Sequence, residues 1–294
     1  MGVIEPQDAF AIDMHFHANV FRRSNAKRRR ISLALSKTVM HLDGLCSTEH
    51  AYKDPIEAYD FLDAMVRHHG LKTWVIPGLE NISKEGVEVI QLFPTRKALV
   101  DAVEKAPAFS WSIHDVHALR RNDGILVLPH PFSPSNTGIV TGIGLEKTRS
   151  LLQHFDYIEM SNGSFLEVPI EMLPATRFKE RIAKTTQFPS GLVPAGVGQC
   201  YGSDAHRPED LNLFSLLKKG RNESMFETLS RPQKLKPIYR SMDDMQAGYK
   251  ITRSLLTSSI EYMQKQDYKL SSSGFKASGE RRSLSKFARD LFVD

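Results

Sequence analysis

The stretch Asp13-Met14-His15-Phe16-His17 ends a short apolar run near the beginning of the chain, and it decides the fold prediction. In an extended strand successive side chains alternate between faces, so Asp13, His15 and His17 share one face. Imidazole and carboxylate groups together suit zinc, manganese or iron. The pattern therefore predicts one corner of a metal site at a strand end, although two ordinary strand histidines bonded to their neighbours would give the same pattern.

The length and composition are those of a globular protein. The chain has 294 residues, of which 41% are hydrophobic and 25% charged, enough for one large α/β domain or two ordinary ones. No apolar run approaches the roughly 18 residues of a membrane helix, and the first residues lack a signal-peptide pattern. We therefore expect a cytoplasmic protein that binds no membrane. Cys46 and Cys200 are too few for a disulfide framework, so we expect both to be buried and reduced.

Positive charge is concentrated in two places, although the net charge is only +5. The first basic cluster contains Arg22, Arg23, Lys27, Arg28, Arg29 and Arg30. The second contains Lys265, Lys269, Lys276, Arg281, Arg282, Lys286 and Arg289. Basic clusters attract phosphate-bearing partners, either small metabolites or nucleic acid, but a solvated helix face has the same composition.

Predicted strands and helices alternate along most of the chain. The first strand, which ends at residues 13–17, is followed by strands at 44–48, 73–78, 87–93, 125–128, 157–160 and 197–202, and the helices fall at 24–40, 55–69, 95–105, 113–121, 145–155 and 175–184. The segment 87–93 is predicted to be a return strand. This alternation favours a mostly parallel sheet, and so many units favour a barrel.

The signal is weaker after His206. Helices are predicted at 208–219, 241–249 and 251–265, and a short strand at 225–229. The barrel domain is predicted to span residues 1–268. Residues 269–294 are predicted to form a polar, basic tail that includes a short terminal helix at 284–293.

The residues suited to chemistry fall together at the ends of predicted strands. They are His15, His17, Glu49, His50, Glu80, His130, Glu159, Asp204 and His206. In a β/α barrel the carboxyl ends of the strands converge on the active site. The other six histidines fall on predicted helices or helix ends and are expected to be surface or packing residues: His41, His68, His69, His114, His117 and His154. We therefore predict that the five strand-end histidines share a metal site.

These motifs resemble, in order along the chain, those of the PHP family, which includes the PHP domains of bacterial polymerases and the histidinol phosphatases. The resemblance covers about residues 9–215, and its most specific motif is the last. The segments that carry it are 13–17, 48–50, 78–80, 128–131, 158–163 and 202–210. It implies a distorted (β/α)7 TIM-like barrel with its active site at the C-terminal strand ends, and two or three divalent ions, whether manganese, zinc or iron.

The resemblance also implies a ligand set. His15, His17, Glu80 and Asp204 would hold one ion, Glu80 would bridge to a second ion bound by His130, and His50 and His206 would serve a third. This sequence departs from the family pattern in the return strand, which reads Glu88-Val89-Ile90-Gln91 and offers no histidine. It also has no acidic or histidine ligand in the loop after His17, and it has Glu49 where the family usually has aspartate.

A pair of ions bridged by a carboxylate lowers the pKa of a bound water and clamps a phosphate, so hydroxide can attack in line at neutral pH. In that mechanism Asp204 or Glu49 orients the water. His206 or His50 donates a proton to the leaving oxygen, although a metal-bound water would serve equally well. The substrate phosphate is expected to contact Arg207, Arg22 and Arg23.

Three functions are consistent with these residues. The first is a phosphomonoesterase that acts on a small phosphorylated metabolite or nucleotide. The second is a nuclease or phosphodiesterase that binds nucleic acid through the basic loop 22–30. The third is a non-catalytic metal-binding scaffold that acts through the C-terminal tail. Family-level analogy fixes chemistry better than specificity, so the sequence leaves the substrate and the oligomeric state undefined.

Overall fold

The computed structural model of the protein describes residues 9–120, 123–133, 137–166, 177–220, 223–240, 269–271 and 274–276. Its strands are β1 (Ala9–Phe16), β2 (Gly44–Ser47), β3 (Trp74–Ile82), β4 (Glu88–Leu92), β5 (Ile125–Leu128), β6 (Tyr157–Asn162), β7 (Gly198–Gly202), β8 (Leu213–Lys218), β9 (Lys236–Tyr239), β10 (Lys269–Ser271) and β11 (Gly274–Lys276). The α-helices are α1 (Asn25–Thr38), α2 (Pro55–His68), α3 (Arg96–Lys105), α4 (Ile139–Ile143), α5 (Leu145–Leu151), α6 (Arg177–Thr186) and α7 (Met225–Leu229). Short 3-10 helices lie at Ile113–Leu119, Leu152–His154, Gly163–Phe165, Ser190–Leu192 and Pro208–Asp210.

Nine strands form one sheet in the order β7-β6-β5-β4-β3-β2-β1-β8-β9. Strands β1, β2 and β3 are parallel, as are β5, β6 and β7, whereas β4 runs antiparallel to both of its neighbours. The sheet curls until the chain just after β7 meets β1, where Asp204 N donates to His15 O at 2.8 Å and His17 N donates to Ala205 O at 3.0 Å. These bonds make a nearly closed barrel.

The predicted fold class, an α/β barrel, is confirmed, and so is the return strand. The barrel does not follow a strict sevenfold repeat, because β4 follows β3 through a short turn with no helix between them. The turn is closed by Ser83 N, which donates to Val87 O at 2.9 Å. The reversal matters for the site, because it brings the amino end of β4 to the end of the barrel where the other strands finish.

The helices on the outside of the barrel begin and end as their sequences dictate. In α2, Asp54 caps the first turn by accepting from Glu57 N at 2.8 Å, and Pro55 occupies the first helical position. The apolar face of α2 packs against the sheet through Ala58, Leu62, Met65 and Val66. In α1, by contrast, Leu35 is the only fully buried residue, so this basic helix lies mostly in solvent. No helix in the described ranges combines the length and apolar character that a membrane crossing requires.

The lower part of the barrel interior, toward the amino ends of the parallel strands, is an apolar core. It contains Ile12, Cys46, Ile76, Val127, Tyr157, Cys200 and Leu217, all of them buried. The prediction that Cys46 and Cys200 are buried is therefore confirmed, and both thiols are free. Close packing of this kind supplies the hydrophobic stabilisation of a domain.

The chain after His206 differs from the prediction. The predicted helix at 208–219 is wrong: a 3-10 turn at Pro208–Asp210 leads into β8, because the apolar residues of this segment complete the free edge of β1. The predicted strand at 225–229 is also wrong and is α7, since Ser224 and Glu227 form a reciprocal capping box. Strand β9, which pairs with β8, was not predicted.

Two further differences concern the remaining segments. Residues 113–121 were predicted as an α-helix, but Ile113–Leu119 form a 3-10 helix. Strands β10 and β11 pair in an antiparallel manner within the segment predicted to be a polar, basic tail. The predicted helices at 241–249, 251–265 and 284–293 lie outside the described residues, and the division at residue 268 stays a prediction.

Candidate metal centre

One end of the barrel carries a cluster of buried and half-buried histidines and carboxylates. Its members come from the strands or from the loops that directly follow them: His15, His17, His50, Glu80, Glu88, His130, Glu159, Asp204 and His206. Within the described ranges, four groups of three residues have ligand atoms that all lie within 4.8 Å of one another. All seven of the predicted metal ligands belong to these groups.

The first group contains His15, His17 and Glu80. The two imidazole Nε2 atoms lie 3.1 Å apart, and Glu80 places its Oε1 3.3 Å from His15 Nε2 and its Oε2 3.6 Å from His17 Nε2. Asp204 Oδ1 completes the arrangement at 3.5 Å from His15 Nε2 and 3.3 Å from His17 Nε2. Ligand atoms bound to one ion at about 2.1 Å have separations of about this size. The set predicted for the first ion is therefore brought together.

A second set of contacts surrounds Glu80 and includes a residue that the sequence analysis missed. His130 Nε2 lies 3.2 Å from Glu80 Oε1 and 3.7 Å from Glu88 Oε2, and His50, Glu80 and Glu88 form one of the four groups. Glu88 begins β4, the reversed strand, so its side chain enters the cleft from the amino end of a strand. The sequence signal that could have identified Glu88 is its position as a carboxylate at the beginning of the return strand.

The third group contains His17, His50 and His206. The ring centroids of His17 and His206 lie 4.2 Å apart, and those of His17 and His50 lie 4.4 Å apart. His206 is the most exposed of the three, with 25% of its side chain accessible, and Asp204 beside it is 13% accessible. The open side of the cleft is therefore formed by the chain just after β7.

Glu159 contacts His15 through the ring nitrogen Nδ1, on the side of the ring away from Glu80. Its Oε1 lies 3.3 Å from His15 Nδ1, and its Oε2 accepts from His130 N at 2.7 Å and from Asn162 Nδ2 at 3.0 Å. Metal-binding histidines commonly use the second ring nitrogen in this way, which fixes the orientation of the ring. The geometry makes Glu159 a positioning residue for His15.

Glu49 has the corresponding place behind His17. Its Oε1 lies 3.6 Å from His17 Nδ1 and 3.2 Å from Lys53 Nζ, and its Oε2 accepts from Asn19 N at 2.6 Å. The residue is completely buried. These contacts are those of a group that orients a ligand, and the prediction that Glu49 orients the attacking water stays untested.

Asp13 does not join the two histidines that share its motif. Its carboxylate accepts from Ser203 N at 3.0 Å and from Ser203 Oγ at 2.5 Å, and it also accepts from His15 N at 3.1 Å. The register of β1 shifts between Asp13 and Phe16, and this irregularity breaks the simple alternation of faces. Asp13 therefore ties β1 to the residue before Asp204.

Two of the predicted ligand residues have a strained backbone. Asp204 has a φ of 49° and His130 a φ of 24°, a region that residues other than glycine seldom occupy. Each is held by neighbouring hydrogen bonds, from Asp204 N to His15 O and from His130 N to Glu159. Strain of this kind persists where the surrounding structure imposes it, and it is common in functional sites.

The charges in the cluster divide the histidines into two kinds. Burial alone lowers the pKa of His17, but the carboxylates of Asp204 and Glu49 outweigh it and raise the pKa to about 9. For His130, Glu80 likewise outweighs burial and raises the pKa to about 9. Asp204 and Glu80 also hold the pKa of His15 well above its usual value, despite burial.

His50 and His206 differ, because burial and the positive charge of His17 act in the same direction on them. The pKa of His50 is lowered to about 4, and that of His206 lies well below its usual value. The carboxyl groups of Glu80 and Asp204 are held ionised in spite of burial, because the neighbouring histidines lower their pKa values. At neutral pH the cluster thus offers anionic oxygens beside the neutral imidazoles of His50 and His206, and an entering ion would displace the protons of the other three histidines. Deprotonated imidazoles and carboxylates together are the donor set of a divalent transition-metal site.

An unsatisfied nitrogen supports the same assignment. Buried polar atoms nearly always have hydrogen-bond partners, yet within the described part of the chain His50 Nε2 has none. A buried imidazole nitrogen without a partner is accounted for when it binds an ion. The residues present therefore fit a centre for divalent ions.

The predicted phosphate-binding arginines lie outside the four groups. Arg23 Nε donates to Asn19 O at 3.3 Å, which places it in the loop that covers Glu49. The Arg22 guanidinium stacks over the Phe21 ring at 4.8 Å, and Arg207 lies 3.9 Å from Glu209. Their contact with a phosphate stays a prediction. The six helical histidines lie outside the four groups as well.

Comparison with solved structures gives likenesses at low identity. PsfC from Pseudomonas syringae PB-5123 is 16% identical with a TM-score of 0.53, and the match covers 85% of this chain and 98% of PsfC. The lesion-specific endonuclease PfuEndoQ from Pyrococcus furiosus is 13% identical with a TM-score of 0.49, over 97% of this chain and 72% of that one. Endonuclease Q bound to a 27-mer duplex with an abasic lesion is 14% identical with a TM-score of 0.45, over 76% and 55%.

No protein-family model matches the sequence, and a search of curated proteins finds no match. At 16% identity the likeness to PsfC concerns the fold alone. It agrees with the barrel predicted from the motifs, while membership of the PHP family stays a prediction.

Proposed function

We propose that the protein is a metal-dependent hydrolase of phosphate esters, and that it acts as a phosphomonoesterase on a small phosphorylated metabolite or nucleotide. The observation that carries the proposal is the position of Glu80. Its two oxygens face four imidazoles, with distances of 3.3 Å to His15, 3.6 Å to His17, 2.8 Å to His50 and 3.2 Å to His130. One carboxylate among four imidazoles would be suited to hold two ions, and pairs of ions are one established means of catalysing phosphate-ester hydrolysis.

The residues divide between holding ions and meeting the substrate. His15, His17, Glu80 and Asp204 would hold one ion, Glu80, Glu88 and His130 a second, and His50 and His206 a third. Bound ions would supply Lewis-acid stabilisation of phosphate charge and a lowered pKa for water. Manganese, zinc and iron are all compatible with this donor set.

Two residues of the chain would meet the substrate and the nucleophilic water. Asp204 and His206 lie on the open side of the cleft, where a phosphate ester would arrive first. Asp204 is ionised, so it is suited to orient a nucleophilic water by accepting its proton. His206 is neutral, because its pKa is lowered by burial and by the charge of His17, and it therefore suits the role of ligand better than that of proton donor.

The proposal is tested by turnover with defined ions. The full chain is stripped with a chelator, reloaded with manganese, zinc or iron, and supplied with a panel of phosphomonoesters, bis(p-nitrophenyl) phosphate and single-stranded oligonucleotides. We expect hydrolysis of monoesters that is lost on chelation and regained on reloading. Metal content is measured on the same samples. Full metal content with no turnover of any ester would favour the non-catalytic scaffold instead.

A second candidate, a nuclease, is favoured by the position of the first basic cluster. The loop that opens this cluster is tied to the site through Asn19 and Glu49, and Lys27, Arg29 and Arg30 on α1 are exposed. Arg28 is paired with Glu57. Backbone phosphates that contact several of these side chains would release counterions, so affinity for a strand would fall steeply with salt.

Neutralising the triplet Arg28, Arg29 and Arg30 separates the two candidates. A small phosphomonoester carries about two charges, so its turnover should fall by no more than about tenfold. Affinity for an oligonucleotide should fall further, and its salt dependence should become shallower. Both substrates are measured at two salt concentrations for wild type and the triple variant. Wild-type protein that cleaves oligonucleotides and ignores every monoester would replace the first candidate with the second.

A further inference from the structure

Two exposed aromatic side chains, Tyr52 and Phe109, lie side by side next to the metal centre. They are 44% and 49% exposed. A single exposed aromatic residue needs no explanation, because much of any protein surface is apolar. These two are in contact with each other, and one of them stacks on a histidine of the cluster.

The rings form a continuous stack that leads outward from the cluster. The ring centroids of His50 and Tyr52 lie 4.8 Å apart with an interplanar angle of 14°, and those of Tyr52 and Phe109 lie 6.2 Å apart at 29°. Both centroid distances lie within the range of about 4.5–7 Å in which aromatic rings interact favourably. The stack therefore joins a buried ligand to the solvent-exposed surface beside it.

Both side chains are held on firm supports. On the Tyr52 side, Ala51 N donates to Glu80 O at 2.8 Å, and Lys53 N donates to His50 O at 2.9 Å. Phe109 has a φ of 61°, unusual for a bulky residue, and its N–H donates to Ile82 O at 2.8 Å. Surfaces fixed before binding lose little further conformational freedom when a ligand arrives.

The loop that carries Phe109 is fixed on either side of it. Ser110 Oγ donates to Pro107 O at 2.6 Å, and Trp111 Nε1 donates to Asn81 Oδ1 at 3.0 Å. The Trp111 side chain is buried in the apolar cluster beneath the loop. A backbone held in the left-handed region by these anchors presents an apolar ring to solvent, which is the arrangement of a binding surface.

We propose that Tyr52 and Phe109 form a stacking platform that recognises the flat ring of a nucleotide whose phosphate lies at the metal centre. The inference rests on the proposed function, and it names the substrate class as phosphate esters that carry a nucleobase. The platform begins one ring spacing from His50, and only a sugar separates the base from the phosphate in a nucleotide. Nucleobases stack on aromatic side chains whatever their sequence, because every base has a flat face.

The test compares two substrates that differ only in the ring. AMP and ribose 5-phosphate carry the same phosphate and sugar, so the ratio of their kcat/KM values reports the contribution of the base. An effect of Tyr52 that acts through His50 is shared by both substrates and cancels in this ratio. We expect wild type to prefer AMP and Phe109→Ala to lower the ratio roughly tenfold, the order expected for loss of one base stack. Tyr52→Ala should lower the ratio as well, because Tyr52 lies between His50 and Phe109 and supports the outer ring of the stack.

Two further variants make the comparison specific. Tyr52→Phe should restore the wild-type ratio, because a phenyl ring stacks equally well. Trp74→Ala is the matched control, since Trp74 is 65% exposed but begins β3 at the opposite end of the barrel. An unchanged ratio in Tyr52→Ala and Phe109→Ala, or a wild type without preference for AMP, would overturn the platform.

Two more measurements are needed. The first identifies the kind of substrate that supplies the base, and the second tests the platform independently of hydrolysis. A 5′-phosphorylated trinucleotide shows whether the base comes from a free nucleotide or from the end of a strand, and preference for either over ribose 5-phosphate supports the platform. Calorimetric binding of AMP and ribose 5-phosphate, with manganese added, needs no turnover. If nothing is hydrolysed but AMP binds more tightly through Tyr52, the hydrolase proposal falls and the platform stands, whereas equal binding overturns the platform.

Discussion

The two ends of the barrel interior are built by the same strands and have opposite chemistry. Strand β3 contributes Ile76 to the apolar core and Glu80 to the cluster, and the segment of β7 contributes Cys200 below and Asp204 above. The lower end buries apolar surface, which stabilises the fold. The upper end buries charged groups and strained backbone, which by themselves destabilise it. The contrast indicates that the upper end is kept for binding, so changes there should affect ions and turnover before they affect folding.

The largest effect is expected from a change in the first ligand group. His17→Ala removes an imidazole shared by two of the four groups, so turnover should fall by about a thousandfold or more and bound metal should decrease. Turnover and elemental analysis are measured together. The control is His69→Ala, whose Nε2 lies 3.1 Å from Ser32 Oγ on the outside of the barrel, and which should leave both values nearly unchanged. Unchanged metal content in His17→Ala would contradict the ligand assignment.

A change in the apolar core at the lower end should have the opposite result, a loss of stability without a loss of activity. Ile76 is buried in the apolar core, four residues before Glu80 on β3, so Ile76→Ala should reduce the free energy of unfolding by about 2–5 kcal/mol through lost burial and a residual cavity. Denaturant titration measures this loss. Metal content and turnover per folded molecule should stay close to those of wild type. If turnover fell while the free energy of unfolding stayed the same, the division of roles between the two ends would be wrong.

Glu88 tests the comparison further, because it belongs to the cluster at the upper end but was not predicted as a ligand. Glu88→Ala should weaken one ion and lower activity by about 10–100-fold, the range typical of groups that support a metal site. Glu88→His, which offers a nitrogen at the same place, should recover most of that loss. Metal titration followed by elemental analysis distinguishes loss of one ion from loss of all. A Glu88→Ala protein that binds all its ions as wild type does would remove Glu88 from the ligand set.

The affinity of the upper end for ions should depend on pH. In the ion-free protein the pKa values of His17 and His130 are about 9, so both carry a proton at neutral pH that an entering ion must displace. Affinity for the ion should therefore rise with pH up to about 9, by about tenfold per pH unit for each proton displaced. Calorimetric titration of the stripped protein at pH 7 and pH 8 measures the slope. An affinity independent of pH would show that these histidines are already unprotonated or unused.

The sequence predicted that the seven proposed ligands would lie close together, because each lies at the end of a strand or just after one, and the apolar run of each strand is local in sequence. Glu88 could not be found by that rule, since β4 is reversed and enters the site by its first residue. Strand β8 was mistaken for a helix because its partner, the outer edge of β1, lies about 200 residues away in the chain. Tyr52 and Phe109 were missed because their contact depends on how two distant loops pack. Local pattern thus predicts strands and their ends, while register, reversal and loop contacts depend on the assembled barrel.

The junction between β1 and the chain after β7 has a consequence for the order of events during folding. Asp13 and Ser203, which bond across it, are 190 positions apart, so this junction closes a very long loop. Contacts of such separation form late, because the chain entropy of closing the loop opposes them. A nascent chain that has not yet reached Ser203 can form most of the strands but lacks Asp204 and His206. We expect an ion to be bound only after β7 has docked against β1. The bound ion would then hold β1 and the chain after β7 together.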